Sequence, residues 1–177
     1  DASSIASKHA FAVYKIVTQS SGASLIEVPT CNWGHDLRSF DDYLENNTRV
    51  IFIANPNNPT GTYNSHEEVY SLLKKVPSSV LVVLDCAYFE YVTKEDYVKP
   101  IDLLNEFDNL LITKSFSKIH GLASIRVGYG IASPSLIEVL NRIRQPFNVN
   151  TLAQAMASVA INDCLLYTSD AADDNAG

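Results

Sequence analysis

The chain has 177 residues, 46% hydrophobic and 19% charged, with a formal net charge of -7. That suffices for one globular domain with a sizeable core. The acidic balance argues against nucleic acid or an anionic membrane as partner, and no apolar run approaches the roughly 18 residues that span a bilayer.

In chain order, apolar runs alternate with helical patterns. A helix is predicted over Phe11–Ser20, a strand over Ser24–Val28, a helix over Leu37–Asn46 and a strand over Arg49–Ala54. A helix over Ser65–Val76 follows, with Ser65 as cap and Glu67 and Glu68 in its first turn, where acids suit the helix dipole. Strands are predicted over Val80–Leu84, Asn109–Thr113 and Val127–Ala132, and helices over Ser135–Arg144 and Thr151–Asn162. The runs "RVIFIAN" and "VLVVLD" are continuous and β-branched, as in strands covered on both faces. The alternation indicates an α/β domain with a largely parallel sheet and right-handed crossovers. There is no internal repeat and no long linker.

The last stretch differs. "CLLYTSDAADDNAG", Cys164 to Gly177, breaks the helical pattern begun at Thr151. Its first ten residues resemble the one-frame translation of a sequencing-library adapter. Residues 164–177 are therefore expected to be a non-native read-through, and functional reasoning is confined to residues 1–163. The chain's three cysteines, Cys31, Cys86 and Cys164, form no C-x-x-C and no metal spacing, so no disulfide framework is expected and a reducing cytoplasm is the simplest compartment. The histidines, His9, His35, His66 and His120, have no metal-ligand spacing either, and no metal is expected.

Ligands of open α/β sheets sit beyond the carboxyl ends of the strands. Three predicted strands end in unusual polar clusters: "NPNNPTG" (Asn55–Gly61), "DCAYFEY" (Asp85–Tyr91) and "KSFSK" (Lys114–Lys118). In a parallel sheet all three share one edge. "NPNNPTG" reads either as a plain turn or as a rigid loop, one of whose X-Pro bonds is cis, holding an amide near a ligand. Asp85 reads either as a strand-end cap or as a carboxylate in a low-dielectric site, able to keep a ring nitrogen protonated. Tyr88 either reaches the same ligand or packs in the core. A lone Ser-x-Ser-Lys is weak, since most such lysines are solvated. Here Lys118 follows a buried strand together with Ser115, Ser117 and Arg126; hydroxyls and an arginine suit a phosphate, and an amine suits an aldehyde.

"NPNNPTG", "DCAY" and "SFSK-(x)7-R-x-G", in this order and spacing, resemble fold-type I pyridoxal-phosphate aminotransferases of classes I and II. "SKHAFAVYKIVTQSSGA", "GHDL", "TRVIFIANPNNPTGT" and "LNRIRQPFNVN" are similar to bacterial histidinol-phosphate aminotransferases. The resemblance covers Asp1 to about Asp163. It implies that Lys118 bonds to the cofactor's aldehyde and moves the substrate's Cα proton. It implies that Asp85 pairs with the pyridine nitrogen, that Asn58 and Tyr88 bind the phenolic oxygen, and that Phe11 stacks on the ring. Ser115, Ser117 and Arg126 match phosphate ligands. Cys86 stands where most members of the group have Glu, beside Asp85 without replacing it.

The implied activity is transamination between histidinol phosphate and 2-oxoglutarate in histidine biosynthesis, by a cytoplasmic homodimer using pyridoxal 5'-phosphate. Alternatives are an aromatic aminotransferase, threonine-phosphate decarboxylase, or the aminotransferase-like sensor domain of a transcription regulator. Complete members of the family are longer. Residues 1–163 are thus expected to be the central part of the large domain, without the N-terminal arm and the C-terminal small domain. On that expectation the isolated piece is inactive and exposes apolar surface.

Overall fold

The computed structural model describes residues 1–163; the segment read as read-through, residues 164–177, lies outside the described residues. Among the described residues eight strands and five α-helices follow one another. They are β1 (Ser3–Ser7), α1 (Val13–Ser20), β2 (Ser24–Val28), β3 (Thr30–Cys31), β4 (Gly34–His35), β5 (Thr48–Ala54), α2 (His66–Lys75), β6 (Leu81–Asp85), α3 (Pro100–Leu103), β7 (Leu110–Ser115), β8 (Gly128–Ala132), α4 (Pro134–Ile143) and α5 (Thr151–Ala160). β3 and β4 form a small hairpin, and the other strands form one sheet in the order β2-β1-β5-β6-β7-β8. Neighbours pair in parallel from β2 to β7. β8 returns antiparallel to β7. The expected α/β class and mostly parallel sheet are observed.

Alternation along the strands divides the apolar residues between the two faces. Ile5, Ile51, Ile53, Val82, Leu84, Leu110 and Ile112 meet Val69, Leu72 and Leu73 of α2 and Leu103 of α3 in the main core. Each fully buried aliphatic side chain of this kind contributes about 1.5–3 kcal/mol of transfer free energy, largely offset by the entropy of ordering the chain. Ala6 and Ala54 form a second, smaller cluster with Tyr14 of α1, and Phe52 packs against it. α1 leaves Val13, Ile16 and Val17 exposed, and α5 leaves Leu152, Met156 and Val159 exposed.

α2 begins as its sequence predicts. The Ser65 hydroxyl accepts from the Glu68 amide, and the Glu68 carboxylate accepts from the Ser65 amide, a reciprocal box worth about 1 kcal/mol. The predicted helix Leu37–Asn46 is not formed; only a single 3-10 turn, Phe40–Tyr43, appears there. Phe40 and Leu37 still reach the core, so the apolar spacing was real. The short polar side chains take local bonds instead: Ser39 Oγ donates to the Asp36 carbonyl, and Thr48 Oγ1 accepts from the Glu45 amide as the chain enters β5.

β1 is a strand that apolar patterning misses, because three of its five residues are serines. All five are buried. The serines are tolerated because each hydroxyl has a partner: Ser3 with Thr48 Oγ1 at 3.2 Å, Ser4 with Thr18 Oγ1 at 2.7 Å, and Ser7 with His35 Nδ1 at 2.6 Å. The chain leaves β1 for β2 on one side and returns through β5 on the other. The order therefore reverses between β1 and β5, and such a switch point opens a crevice at the carboxyl ends.

Candidate active site

Register brings the three polar clusters together. Ala54 of β5 pairs with Asp85 of β6, and Asp85 pairs with Thr113 of β7. The segments that follow these residues therefore leave the sheet side by side. A cleft of about 90 Å³ lies there, walled by Phe11, Tyr14, Pro56, Asn58, Asp85, Tyr88 and Lys118, among others. Phe11 arrives from beyond β1, Asn58 from beyond β5, Asp85 and Tyr88 from β6 and its exit, and Lys118 from beyond β7. A larger cavity of about 500 Å³ adjoins it and shares Pro56, Asn58 and Tyr88 as a common wall.

"NPNNPTG" is a fixed loop in which both X-Pro peptide bonds, Asn55-Pro56 and Asn58-Pro59, are cis. Its asparagines divide their work. Asn55 is fully buried and braces Asn64 through both ends of its amide, donating to the Asn64 carbonyl and accepting from the Asn64 amide, each at 2.9 Å. Asn57 donates to the His9 carbonyl and to Thr60 Oγ1. Asn58 alone of the three lines the smaller cleft, with its Nδ2 3.5 Å from the Tyr88 hydroxyl.

"KSFSK" holds two lysines with different fates. Lys114 is paired with Glu90, and the two side chains are only 15% and 5% exposed. The ammonium of Lys114 also lies 4.0 Å from the centre of the Phe89 ring. Lys118 has no ion-pair partner among the described residues, and its Nζ stands 5.0 Å from the centre of the Tyr88 ring. An amine without a carboxylate partner, beside a held carboxylate and an amide donor, is a donor set that fits an aldehyde on a protonated ring.

Ser115, Ser117 and Arg126 flank this cleft in sequence but are not part of its wall. The Ser117 amide donates to Ser115 Oγ at 3.0 Å. The Arg126 guanidinium donates to the Ala123 carbonyl at 2.7 Å. Arg126 itself sits in the left-handed region, φ 60°, where the chain turns into β8. The glycine of the R-x-G motif, Gly128, serves the sheet, since a Cβ there would lie 2.7 Å from the Lys114 carbonyl oxygen.

Cys86, the departure beside Asp85, is fully buried in the main core. Burial pushes its thiol up to about 12, so it stays protonated and inert at neutral pH.

Two residues of the site were not anticipated. Tyr14 donates its hydroxyl to Asp85 Oδ2 at 2.8 Å. His35 ties the ends of β1 and β5 together: its Nε2 donates to the Ala54 carbonyl at 2.8 Å, so its Nδ1 accepts from Ser7 Oγ. No sequence signal marks either link, because the partners lie far apart along the chain. Burial lowers the His35 pKa below the ordinary imidazole value, against the pull of the Ala54 carbonyl. A folded-state pKa below the unfolded value means that protonation favours unfolding. The His35 contribution to stability is therefore complete above about pH 6.5 and is lost as pH falls through the folded value. Urea midpoints are expected to decline from about pH 8 to about pH 5, and His35→Asn should flatten that decline.

The family model for aminotransferase class I and II matches residues 4–176. The chain is 54% identical over 157 residues to a histidinol-phosphate aminotransferase 2 of Pseudomonas fluorescens, covering 89% of this chain and 42% of that protein. It is 49% identical over 160 residues to a histidinol-phosphate aminotransferase of Caldicellulosiruptor saccharolyticus, covering 90% of this chain and 45% of that protein. It thus spans less than half the length of these curated relatives. Among solved structures it is similar to the histidinol-phosphate aminotransferase of Sinorhizobium meliloti in complex with pyridoxal-5'-phosphate. That likeness has a TM-score of 0.89 and 27% identity, over 95% of this chain and 46% of that one. L-threonine-O-3-phosphate decarboxylase of Porphyromonas gingivalis is similar with a TM-score of 0.75 and 25% identity, over 94% of this chain and 48% of that one. A parallel sheet whose strand ends gather an amine, a carboxylate and an amide, matched along nearly its whole length by one family model, leaves a single assignment: the chain belongs to the aminotransferase class I and II family.

Proposed function

We propose that this chain is the cofactor-binding part of a pyridoxal 5'-phosphate-dependent aminotransferase that exchanges the amino group of histidinol phosphate with 2-oxoglutarate. The observation that carries the reading is the single cleft shared by Phe11, Asn58, Asp85, Tyr88 and Lys118. The bound cofactor supplies an electron-accepting ring for the electron pair left at the donor's Cα. Lys118 Nζ is the base that takes the Cα proton and the acid that returns it. Asp85 would pair with the ring nitrogen and keep it protonated. Asn58 and Tyr88 would donate to the phenolic oxygen, and Phe11 would cover the ring. Ser115, Ser117 and Arg126, on the segment that carries Lys118, would hold the cofactor's phosphate through hydroxyl and charge-assisted guanidinium bonds.

Histidinol phosphate is favoured as donor by relatives of that name at about half identity. The threonine-phosphate decarboxylase reading is less supported, by a solved structure of that name with a TM-score of 0.75 against 0.89. The apolar side chains exposed on α1 and α5 suit contact with the remainder of a longer protein and with a second subunit of a homodimer. On this reading residues 1–163 form the large-domain part and residues 164–177 are not native. Among the described residues no helix is long and apolar enough to cross a membrane, which suits a cytoplasmic enzyme. The test is an assay of the full-length gene product with pyridoxal 5'-phosphate, comparing histidinol phosphate with aromatic amino donors against 2-oxoglutarate. Preference for histidinol phosphate is expected; preference for an aromatic donor, or decarboxylation without amino transfer, would replace the substrate assignment.

A further inference from the structure

We infer that Tyr14 is a positioning residue for the Asp85 carboxylate, an inference that rests on the function proposed above. Asp85 is held at both oxygens. Its Oδ1 accepts from the Ala87 amide at 3.2 Å, and its Oδ2 accepts from the Tyr14 hydroxyl at 2.8 Å. The first donor belongs to the turn that follows β6 and would hold the carboxylate by itself only loosely. The second comes from α1, 71 residues earlier in the chain.

The Tyr14 ring has little freedom. It stacks on Phe52 with a centroid separation of 4.8 Å and an interplanar angle of 6°. Phe11 meets it edge-on, at 5.8 Å and 90°. Tyr14 is itself 6% exposed, so water does not compete for its hydroxyl. Burial, and next the charge of Asp85, push that hydroxyl well above the usual phenol range, so it remains a donor throughout the working pH range. A fixed neutral donor on one oxygen favours the ionised carboxylate and fixes its plane. The same helix entrance carries Phe11, so α1 links the residue expected over the ring face to the residue expected at the ring nitrogen.

Tyr14→Phe removes the donor and keeps both ring contacts. In the full-length gene product it is expected to weaken pyridoxal 5'-phosphate binding about tenfold or more, the value of a hydrogen bond to a charged group. It is also expected to shift the pH midpoint of the visible cofactor band. In an Asp85→Asn background the same substitution should change neither quantity further, since the effect acts through the carboxylate. Phe52→Leu supplies the structural comparison: it loosens the stack but keeps the hydroxyl, so it should lower the melting temperature without moving the band's pH midpoint. The inference is overturned if Tyr14→Phe lowers thermal stability yet leaves affinity and pH midpoint at their wild-type values. It is equally overturned if the effect of Tyr14→Phe is undiminished in the Asp85→Asn background. A wild-type protein with no visible cofactor band would instead remove the proposed function, and this inference with it.

Discussion

In the full-length gene product Lys118→Ala is expected to lower transamination at least about 10³-fold, because on the proposed function it removes both the covalent anchor and the proton carrier. The visible band of the protein incubated with pyridoxal 5'-phosphate should disappear with it. Stability should change little: Lys118 is exposed, lies beyond the end of β7 and has no ion-pair partner among the described residues. The neighbouring lysine of the same motif provides the contrast. Lys114→Ala strands the nearly buried Glu90 without its partner, and one Glu90 oxygen already lacks a hydrogen bond. Breaking such a pair costs about 3 kcal/mol or more, so Lys114→Ala should lower the urea midpoint sharply. Persistence of turnover and of the visible band in Lys118→Ala would remove the mechanism outright.

Asp85→Asn should be the second most damaging substitution, with kcat reduced about 10²-fold or more at saturating cofactor. The change is nearly isosteric. What it takes away is the negative charge that, on the proposed function, would stabilise a protonated ring nitrogen. Without that charge the ring is a poorer acceptor for the Cα electron pair, so the loss should fall on kcat more than on KM. Stopped-flow measurement of single turnovers separates the two. Unchanged single-turnover rates in Asp85→Asn would show that the carboxylate does not serve the chemistry, and would return Asp85 to the role of a strand-end cap.

The linear sequence proved informative where a local pattern and its physical cause coincide. The continuous apolar runs of β5, β6 and β7 form neighbouring strands, and the polar clusters after them share one edge. The cap and acids at the start of α2 act as their chemistry dictates. Phe11, Asn58, Asp85, Tyr88 and Lys118 meet in one cleft. The pattern over Leu37–Asn46 misled because apolar spacing records which residues reach the core, whereas turn-forming Ser, Asp and Asn decide whether the backbone between them is helical.

The sequence by itself determined the α/β class, the family and the order in which the polar clusters leave the sheet. Only the tertiary structure decided which of two lysines has no ion-pair partner among the described residues, which of three asparagines faces the smaller cleft, and that a serine-rich segment is a buried strand. It alone revealed that Tyr14 and His35 hold the site's framework. The physical reason is range. Propensity and periodicity act between neighbours along the chain, while the partner that satisfies or exposes a polar group is supplied by segments tens of residues away, brought close only when the sheet assembles.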